Sequence, residues 1–98
     1  MKKRTRIDIY AAIIDIVRRH SEGMRLTRIS YGVGIPTDRA RTFINQLLSA
    51  GLIAPSRENT VYYVTTKHGR KFLDAYNVLK GYLNEMEENL LNSLSESD

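Results

Sequence analysis

The fold is decided by the stretch LIAPSRENTVYYVTTKHGRKFL, which runs from Leu52 to Leu73. Two β-prone pieces, residues 52–54 and 61–65, flank the segment PSRENT, whose proline, serine and asparagine favour a turn. The pattern therefore predicts a β-hairpin. Its tip is polar and carries a single basic residue, Arg57.

A long helix is predicted to follow the hairpin at once. Thr66 stands where its side chain can cap the first turn of that helix. Gly69, in the same turn, has no side chain and permits another segment to approach closely. The helix then continues through KHGRKFLDAYNVLKGYLNEMEENLLNSL, a length of about 42 Å for about 28 residues.

Apolar residues recur along this helix at alternating spacings of four and three, a heptad pattern that predicts a coiled-coil seam. So long a stripe exceeds what the small preceding body can cover, and a second copy of the chain is the simplest partner. Lys80 and Glu87 occupy equivalent flanking positions, which face each other in an antiparallel pair. The alternative is a helix folded back on its own domain. The predicted dimer interface is Phe72, Tyr76, Leu79, Tyr82, Leu83, Met86 and Leu90.

Upstream of the hairpin, PTDRARTFINQLLSAGLI (residues 36–53) has the pattern of a helix closed by glycine. Gly51 supplies the left-handed stop. Pro36 suits a first helical position, and the alternative is a start one residue later with Thr37 as the cap. The apolar stripe of this third helix is Ala40, Phe43, Ile44 and Leu47.

Two more helices are predicted before it. The first follows a basic arm, MKKRTR, that we expect to be mobile, and Gly23 ends it. Thr27 caps a shorter second helix, in which Ile29 and Val33 face inward. The apolar stripe of the first helix is Ile9, Tyr10, Ile13, Ile16, Val17 and His20.

The predicted order is helix, helix, helix, hairpin, long helix. This is a mainly α fold with a small β-hairpin: a winged helix-turn-helix followed by a long C-terminal coiled-coil helix. The expected divisions are an arm at 1–6, a DNA-binding domain at 7–66, a dimerisation helix at 67–94 and a polar tail at 95–98.

Charge is distributed unevenly along the 98 residues, whose net charge is +4. Residues 1–71 carry 14 Lys and Arg against 5 Asp and Glu, whereas residues 72–98 carry Lys80 alone against 6 acids. A basic body with an acidic tail favours a nucleic-acid partner for the body. Ordinary surface charge is the alternative.

The outward face of the third helix suits insertion into a groove. Rotation at about 100° per residue places Asp38, Thr42, Asn45 and Ser49 opposite the apolar stripe. Short side chains let the helix backbone approach base edges, and flanking arginines reach phosphates. The flanking residues are Arg41 on one side and Arg39 and Gln46 on the other. The alternative is a solvated face, stabilised by a local contact of Asp38 with Arg41 or Thr42.

Other polar residues complete the predicted contact surface. The hairpin tip can lie along the DNA backbone or in the minor groove, Arg28 stands in the first turn of the second helix, and the basic arm can follow phosphates. The predicted DNA contacts are Arg39, Arg41, Thr42, Asn45, Gln46, Thr37, Arg28, Arg57, Asn59, Lys3 and Arg4.

Several other classes are disfavoured. The chain has no cysteine, and no apolar run approaches the roughly 20 residues of a membrane span. Neither His20 nor His68 has a sequence neighbour suited to nucleophilic or metal chemistry. We therefore expect no enzyme, no cofactor, no metal and no membrane partner, and a cytoplasmic location.

Four segments of the sequence resemble a known group of proteins: KKRTRIDIYAAIIDIV, TRISYGVGIP, INQLLSAGLI and YYVTTKHGRKFLDAY. In this order they resemble the small archaeal winged-helix DNA-binding proteins that dimerise through a C-terminal antiparallel coiled coil. The resemblance implies a homodimer, sequence-tolerant binding of double-stranded DNA, nucleoid association, and chromatin organisation or transcriptional regulation. Pro36 departs from the group, which usually shows a serine cap at that point.

The resulting hypothesis is a dimeric DNA-binding protein, either a transcriptional regulator or a chromatin organiser. Its third helix would enter the major groove, while the hairpin and arm contact the backbone. The alternative function is a winged-helix protein–protein interaction module that does not bind DNA.

Overall fold

The computed structural model describes residues 4–96, with side chains described through residue 94. It confirms the predicted order of elements: a mainly helical chain with one antiparallel hairpin and a long C-terminal helix. The elements are α1 (Arg6–Arg18), α2 (Leu26–Val33), α3 (Thr37–Ser49), β1 (Ile53–Pro55), β2 (Tyr63–Thr65) and α4 (Lys67–Glu96). None of the helices within 4–96 combines the length and apolarity that a membrane crossing requires.

The core is built around α1, which contacts α2, α3, α4 and β2. Apolar residues at three- and four-residue spacing give α1 one inward face, and the predicted stripe of α3 is buried against it. The largest fully buried side chains are Ile9, Ile13, Ile14, Val17, Ile29, Ile44, Leu47 and Ile53.

The first helix begins and ends earlier than predicted. Thr5 caps it: the Thr5 hydroxyl accepts from the Asp8 amide at 3.2 Å, and the Asp8 carboxylate accepts from the Thr5 amide at 2.9 Å. Because this capping box fixes the chain, Arg6 is helical and does not belong to the arm. The predicted end at Gly23 is wrong, since α1 ends at Arg18 and Gly23 lies in the following turn with φ +94°.

The predicted caps of α2 and α3 are also wrong. Their N-caps are Arg25 and Pro36, neither of which makes a side-chain capping bond. Thr37 is instead the first residue of α3, with its hydroxyl oxygen 3.3 Å from that of Ser30. The buried Ser30 hydroxyl donates to the Ile35 carbonyl at 2.6 Å, so it fixes the turn between α2 and α3.

The hairpin is short and is joined to the body by a third segment. Ile53 lies opposite Thr65 and Pro55 opposite Tyr63 in the antiparallel register. The Tyr63 amide donates to the Met24 carbonyl at 2.8 Å, and the Met24 amide donates to the Tyr63 carbonyl at 3.0 Å. The chain before α2 therefore extends the hairpin by one β-bridge.

The junction between hairpin and α4 confirms two sequence predictions. The Thr66 hydroxyl accepts from the Gly69 amide at 2.9 Å and so caps α4, and it donates to the Gly51 carbonyl at 2.6 Å. A Cβ atom on Gly69 would lie 2.0 Å from the Leu52 carbonyl oxygen. No side chain fits there, so glycine is required for this close approach.

Only the first half of α4 lies against the body. Leu73 is buried, and Phe72 and Tyr76 pack against the core. Every side chain from residue 81 to residue 94 is exposed, and the molecule is 61 × 26 × 21 Å. The helix also reaches Glu96, two residues into the predicted polar tail.

A polar contact marks the point where α4 leaves the body. The Tyr76 hydroxyl donates to the Asp8 carboxylate at 2.6 Å, and the Lys80 ammonium lies 3.9 Å from the same oxygen. The bond from Tyr76, followed by the bond from the Thr5 amide, lowers the pKa of Asp8 from 3.8 to about 2. Burial and then the bond to Asp8 raise the pKa of Tyr76 from 10.0 to about 12.

Candidate nucleic-acid interface

The outward face of α3 is open to solvent. Arg39, Arg41, Thr42 and Asn45 are exposed, while Ala40, on the opposite face, is fully buried. This alternation follows from the helical period of the apolar stripe. The structure therefore presents short polar side chains between two arginines at one surface.

Both local contacts expected of a merely solvated face are present. The Arg41 guanidinium lies 3.5 Å from the Asp38 carboxylate, and the Thr42 hydroxyl donates to the Asp38 carbonyl at 3.3 Å. The Asp38 side chain is 98% exposed and that of Arg41 is 59% exposed. An ion pair this open to water contributes less than about 1 kcal/mol, so a phosphate can displace it.

One flank of α3 forms a groove that includes a residue from α1. We call it the α3 groove; it is lined by Arg6, Arg39, Thr42, Phe43 and Gln46. Arg39 lies over the Phe43 ring, with its guanidinium carbon 5.6 Å from the ring centroid. The sequence placed Arg6 in the arm, and only the early start of α1 brings it to this surface.

Tyr10 supports the same groove from below. Its ring meets Phe43 edge-on at 5.4 Å, and its hydroxyl donates to the Gln46 side-chain oxygen at 2.5 Å. The Gln46 amide nitrogen keeps its two donors, which suit an acceptor on a base or phosphate. Tyr10 was predicted only as a core residue, and no sequence signal connects it to Gln46, 36 residues away.

The hairpin tip presents Arg57, which is exposed. Asn59 has a structural role there: its side-chain oxygen accepts from the Val61 amide at 3.2 Å, and its carbonyl accepts from the Tyr62 amide at 3.0 Å. These bonds hold residues 61 and 62 in the turn, so β2 begins at Tyr63, later than predicted. Neither Arg57 nor Asn59 lines the α3 groove.

A family model described as winged helix-turn-helix matches residues 3–82, and the helix order, turn and hairpin described above agree with it. The chain belongs to the winged helix-turn-helix family. No curated protein matches the sequence significantly.

Solved structures with this winged helix include several transcription regulators. MepR, a transcription regulator of the Staphylococcus aureus multidrug efflux pump MepA, superposes with a TM-score of 0.65 at 16% identity, over 88% of this chain and 64% of that chain. The multiple antibiotic-resistance repressor MarR from Listeria monocytogenes gives 0.60 at 19% identity, over 91% and 71%. The chain thus spans slightly under two thirds of the MepR structure. At these identities the likeness shows the fold.

An enzyme also contains a similar winged helix. An O-methyltransferase, NcsB1 from neocarzinostatin biosynthesis, matches with a TM-score of 0.55 at 17% identity, over 70% of this chain but only 22% of that chain. The likeness is therefore to a part of that protein. In the portion of this winged helix that the structure describes, no three His, Cys, Asp or Glu side chains are grouped to hold a metal ion.

A second basic cleft lies between the α1–α2 turn and the hairpin of the winged helix. His20, Arg25, Arg28 and Tyr62 are among its lining residues. The Arg25 guanidinium carbon is 6.0 Å from the centroid of the Tyr62 ring. Arg28 was predicted as a DNA contact, and the structure brings it together with Arg25 at the first turn of α2.

The arm of the winged helix is partly tied down. The Arg4 guanidinium donates to the Val33 carbonyl at 2.8 Å, which joins this arm residue to the end of α2. Arg4 nevertheless remains exposed at the end of α2. The other predicted arm contact, Lys3, lies outside the described residues.

The predicted dimer residues fall into two groups. Phe72 and Tyr76 are half-buried against the core of their own winged helix. The remaining five are exposed by 43% to 65%: Leu79, Tyr82, Leu83, Met86 and Leu90.

Proposed function

We propose that this protein binds double-stranded DNA as a homodimer and acts as a transcriptional regulator or a chromatin-organising protein. In this proposal α3 enters the major groove, the hairpin and the N-terminal segment lie on the backbone, and α4 joins two copies in an antiparallel coiled coil. A cytoplasmic, nucleoid-associated location follows from DNA binding.

The observation that carries the proposal is the exposed face of α3. The major groove is about 12 Å wide and admits one helix. Thr42 and Asn45 are short enough to bring the helix backbone to the base edges, and an asparagine amide pairs with adenine through two hydrogen bonds. Arg39 and Arg41 flank these residues and reach the phosphates on either side.

Basic residues beyond α3 extend the contact to phosphates. Arg6 joins Arg39 in the α3 groove, and Arg25 and Arg28 stand together at the start of α2, where unpaired helix amides also favour phosphate. Arg57 supplies a cation at the hairpin tip. The likeness to transcription regulators of the same fold supports the regulatory reading.

The second candidate function is a protein-interaction module without DNA binding. The observation that favours it is the row of exposed apolar side chains on α4, because such patches mark protein contacts. This candidate requires no role for the α3 face, so a test of that face separates the two.

The test is a gel shift with duplex DNA at two salt concentrations, repeated with an excess of unrelated duplex. With about six phosphate contacts per subunit, the log–log salt slope is about −5. Arg41→Ala is expected to weaken binding by about tenfold. Arg18→Ala, which removes the same charge from α1, serves as the matched control and is expected to change binding less than about twofold.

The possible outcomes of this test distinguish the two candidate functions. An unchanged titration for a folded Arg41→Ala protein would remove α3 from the contact surface. No shift at low salt would favour the protein-interaction module. A shift that unrelated duplex abolishes would indicate a chromatin organiser, and a shift that persists would indicate a sequence-specific regulator.

A further inference from the structure

The side-chain amide of Gln46 is held in one orientation, although Gln46 stands on the exposed side of α3. The Tyr10 hydroxyl of α1 donates to the Gln46 side-chain oxygen at 2.5 Å. The oxygen and nitrogen of an amide are attached to the same carbon and diverge from it. A bond that holds the oxygen at Tyr10 therefore leaves the nitrogen, with its two hydrogens, as the group that can meet DNA. Gln46 is presented as a hydrogen-bond donor.

Tyr10 can hold this orientation because its own ring is fixed. The ring is half-buried and packs against the core. It also meets the buried Phe43 ring edge-on, with the ring centroids 5.4 Å apart. A tyrosine side chain has two rotatable torsions, so packing of the ring also fixes the position of the hydroxyl oxygen. The hydroxyl therefore stands at a defined point beside Gln46.

A second donor on the same flank of α3 is supported by the same rings. The Arg39 guanidinium carbon lies 5.6 Å from the centroid of the Phe43 ring, and a guanidinium has donors but no acceptor. Arg39 and Gln46 are seven residues apart, or about 10.5 Å along the helix, which equals about three base-pair steps of about 3.4 Å. The two donors therefore address different base pairs.

Purines differ in how their major-groove edges meet a donor. Guanine presents two adjacent acceptors, N7 and O6, whereas adenine presents the acceptor N7 beside the N6 amino donor. A glutamine that is free to turn pairs with adenine, because its oxygen accepts from N6 while its nitrogen donates to N7. That paired contact requires the Gln46 oxygen to turn away from Tyr10. Guanine is the better match while the bond to Tyr10 is kept.

We propose that Tyr10 is a positioning residue for base selection: by holding the Gln46 oxygen, it makes Gln46 select guanine over adenine at one base pair of the bound duplex. This role rests on the DNA binding by α3 proposed above and specifies the chemistry of one contact. A phosphate oxygen would also accept from the Gln46 nitrogen. A phosphate contact differs measurably, because it carries no base preference.

Selection of bound sequences from a pool of random duplexes tests this role. Gln46→Ala identifies the base pair that Gln46 contacts, because the preference is lost there. At that base pair the unmodified protein is expected to favour guanine over adenine by about fivefold, as one hydrogen bond provides. Tyr10→Phe keeps the ring and removes the hydroxyl. It is expected to abolish or reverse the guanine preference, since the freed amide can pair with adenine.

Tyr76→Phe is the matched control. It removes the hydroxyl of another tyrosine that packs against the core and donates to a side-chain oxygen, here at 2.6 Å, but Tyr76 does not line the α3 groove. Base preferences should be unchanged in this variant even where stability falls. The base pair whose preference depends on Arg39, identified with Arg39→Ala, is an internal control. Tyr10→Phe keeps the ring that meets Phe43, so the preference at that base pair should also stay.

A folded Tyr10→Phe protein that keeps the guanine preference would overturn the role of Tyr10. An adenine preference of the unmodified protein at the Gln46 base pair would do so without any variant of Tyr10. A Gln46→Ala protein that binds all sequences more weakly, with no change in preference, would indicate a phosphate contact and would also overturn it. Binding with no preference at any base pair would overturn it while DNA binding stands, and the absence of binding to any duplex would overturn both.

Discussion

In the first half of α4, Leu73 is 6% exposed and lies against α1, whereas in the second half Leu83 is 43% and Leu90 is 61% exposed. The apolar period is the same in both halves. The difference lies in their surroundings, because the body ends near Lys80 and the helix continues. A heptad pattern thus indicates which side of a helix is apolar, while the extent of the neighbouring domain decides how much of that side is covered.

The largest expected effect on stability comes from a substitution in the first half of α4, which the body of the protein covers. Leu73→Ala leaves a cavity in the core and is expected to lower the free energy of unfolding by about 2–5 kcal/mol. Denaturant unfolding measures it. Leu91→Ala, the same change at a leucine that is 64% exposed and off the a and d positions, should stay within about 0.5 kcal/mol. Equal effects would mean that the two halves are equally covered.

The next largest effect is expected on dimerisation, from a substitution in the exposed second half of α4. In the proposed dimer, Leu83→Ala removes one interface side chain from each copy, so a loss of about 3 kcal/mol of association energy and a roughly hundredfold rise in the dimer dissociation constant are expected. Sedimentation equilibrium measures the constant, and circular dichroism should show an unchanged fold. Asn84→Ala, on the outer side of the helix, is the control. A dissociation constant unaffected by Leu83→Ala would assign the exposed row to another partner.

The smallest effect is expected on stability, from a substitution at Tyr76, where the two halves of α4 meet. Tyr76→Phe removes the bond to Asp8 and is expected to lower stability near pH 7 by about 1.5 kcal/mol. Because the pKa of Asp8 is lowered to about 2, its contribution is complete above about pH 4 and is lost as the pH falls towards 2. Between about pH 4 and pH 2 the Tyr76→Phe protein should therefore lose less free energy of unfolding than the unmodified protein does.

Alkaline titration tests the same bond from the other side. The pKa of Tyr76 is raised to about 12, so its contribution is complete below about pH 10 and is lost as the pH rises through 12. Thermal unfolding across both windows measures the two losses. Tyr31→Phe, at a tyrosine that is 91% exposed, should leave both curves unchanged, and a Tyr76→Phe protein with wild-type curves would contradict the boundary role.

The sequence predicted those parts of the fold that local chemistry determines. The order of elements follows from apolar periods, and the cap at Thr66 and the close approach at Gly69 follow from residues only three apart. The caps at Thr27 and Thr37 were wrong because Arg25 and Pro36 already stand in extended conformation before each helix. Thr27 is therefore the second residue of α2 and Thr37 is the first residue of α3, and neither is a cap.

Contacts between residues that are far apart in the chain could not be predicted from the sequence. The bond from Tyr76 to Asp8 spans 68 residues, and the heptad pattern alone assigned Tyr76 to the dimer seam. In the candidate site, the rotation of α3 predicted which residues are outward. It did not predict that Arg6 joins the α3 groove, because that depends on the capping box at Thr5, which advances the start of α1.

The junction at Thr66 has a mechanical consequence. One hydroxyl holds the Gly51 carbonyl, just after α3, and the Gly69 amide, in the first turn of α4, while Gly69 rests on the Leu52 carbonyl with no space between them. These contacts leave no flexible connection at this point that could serve as a hinge. The start of α4 is therefore joined directly to the segment that follows α3, so a displacement of the long helix is expected to reach the end of α3.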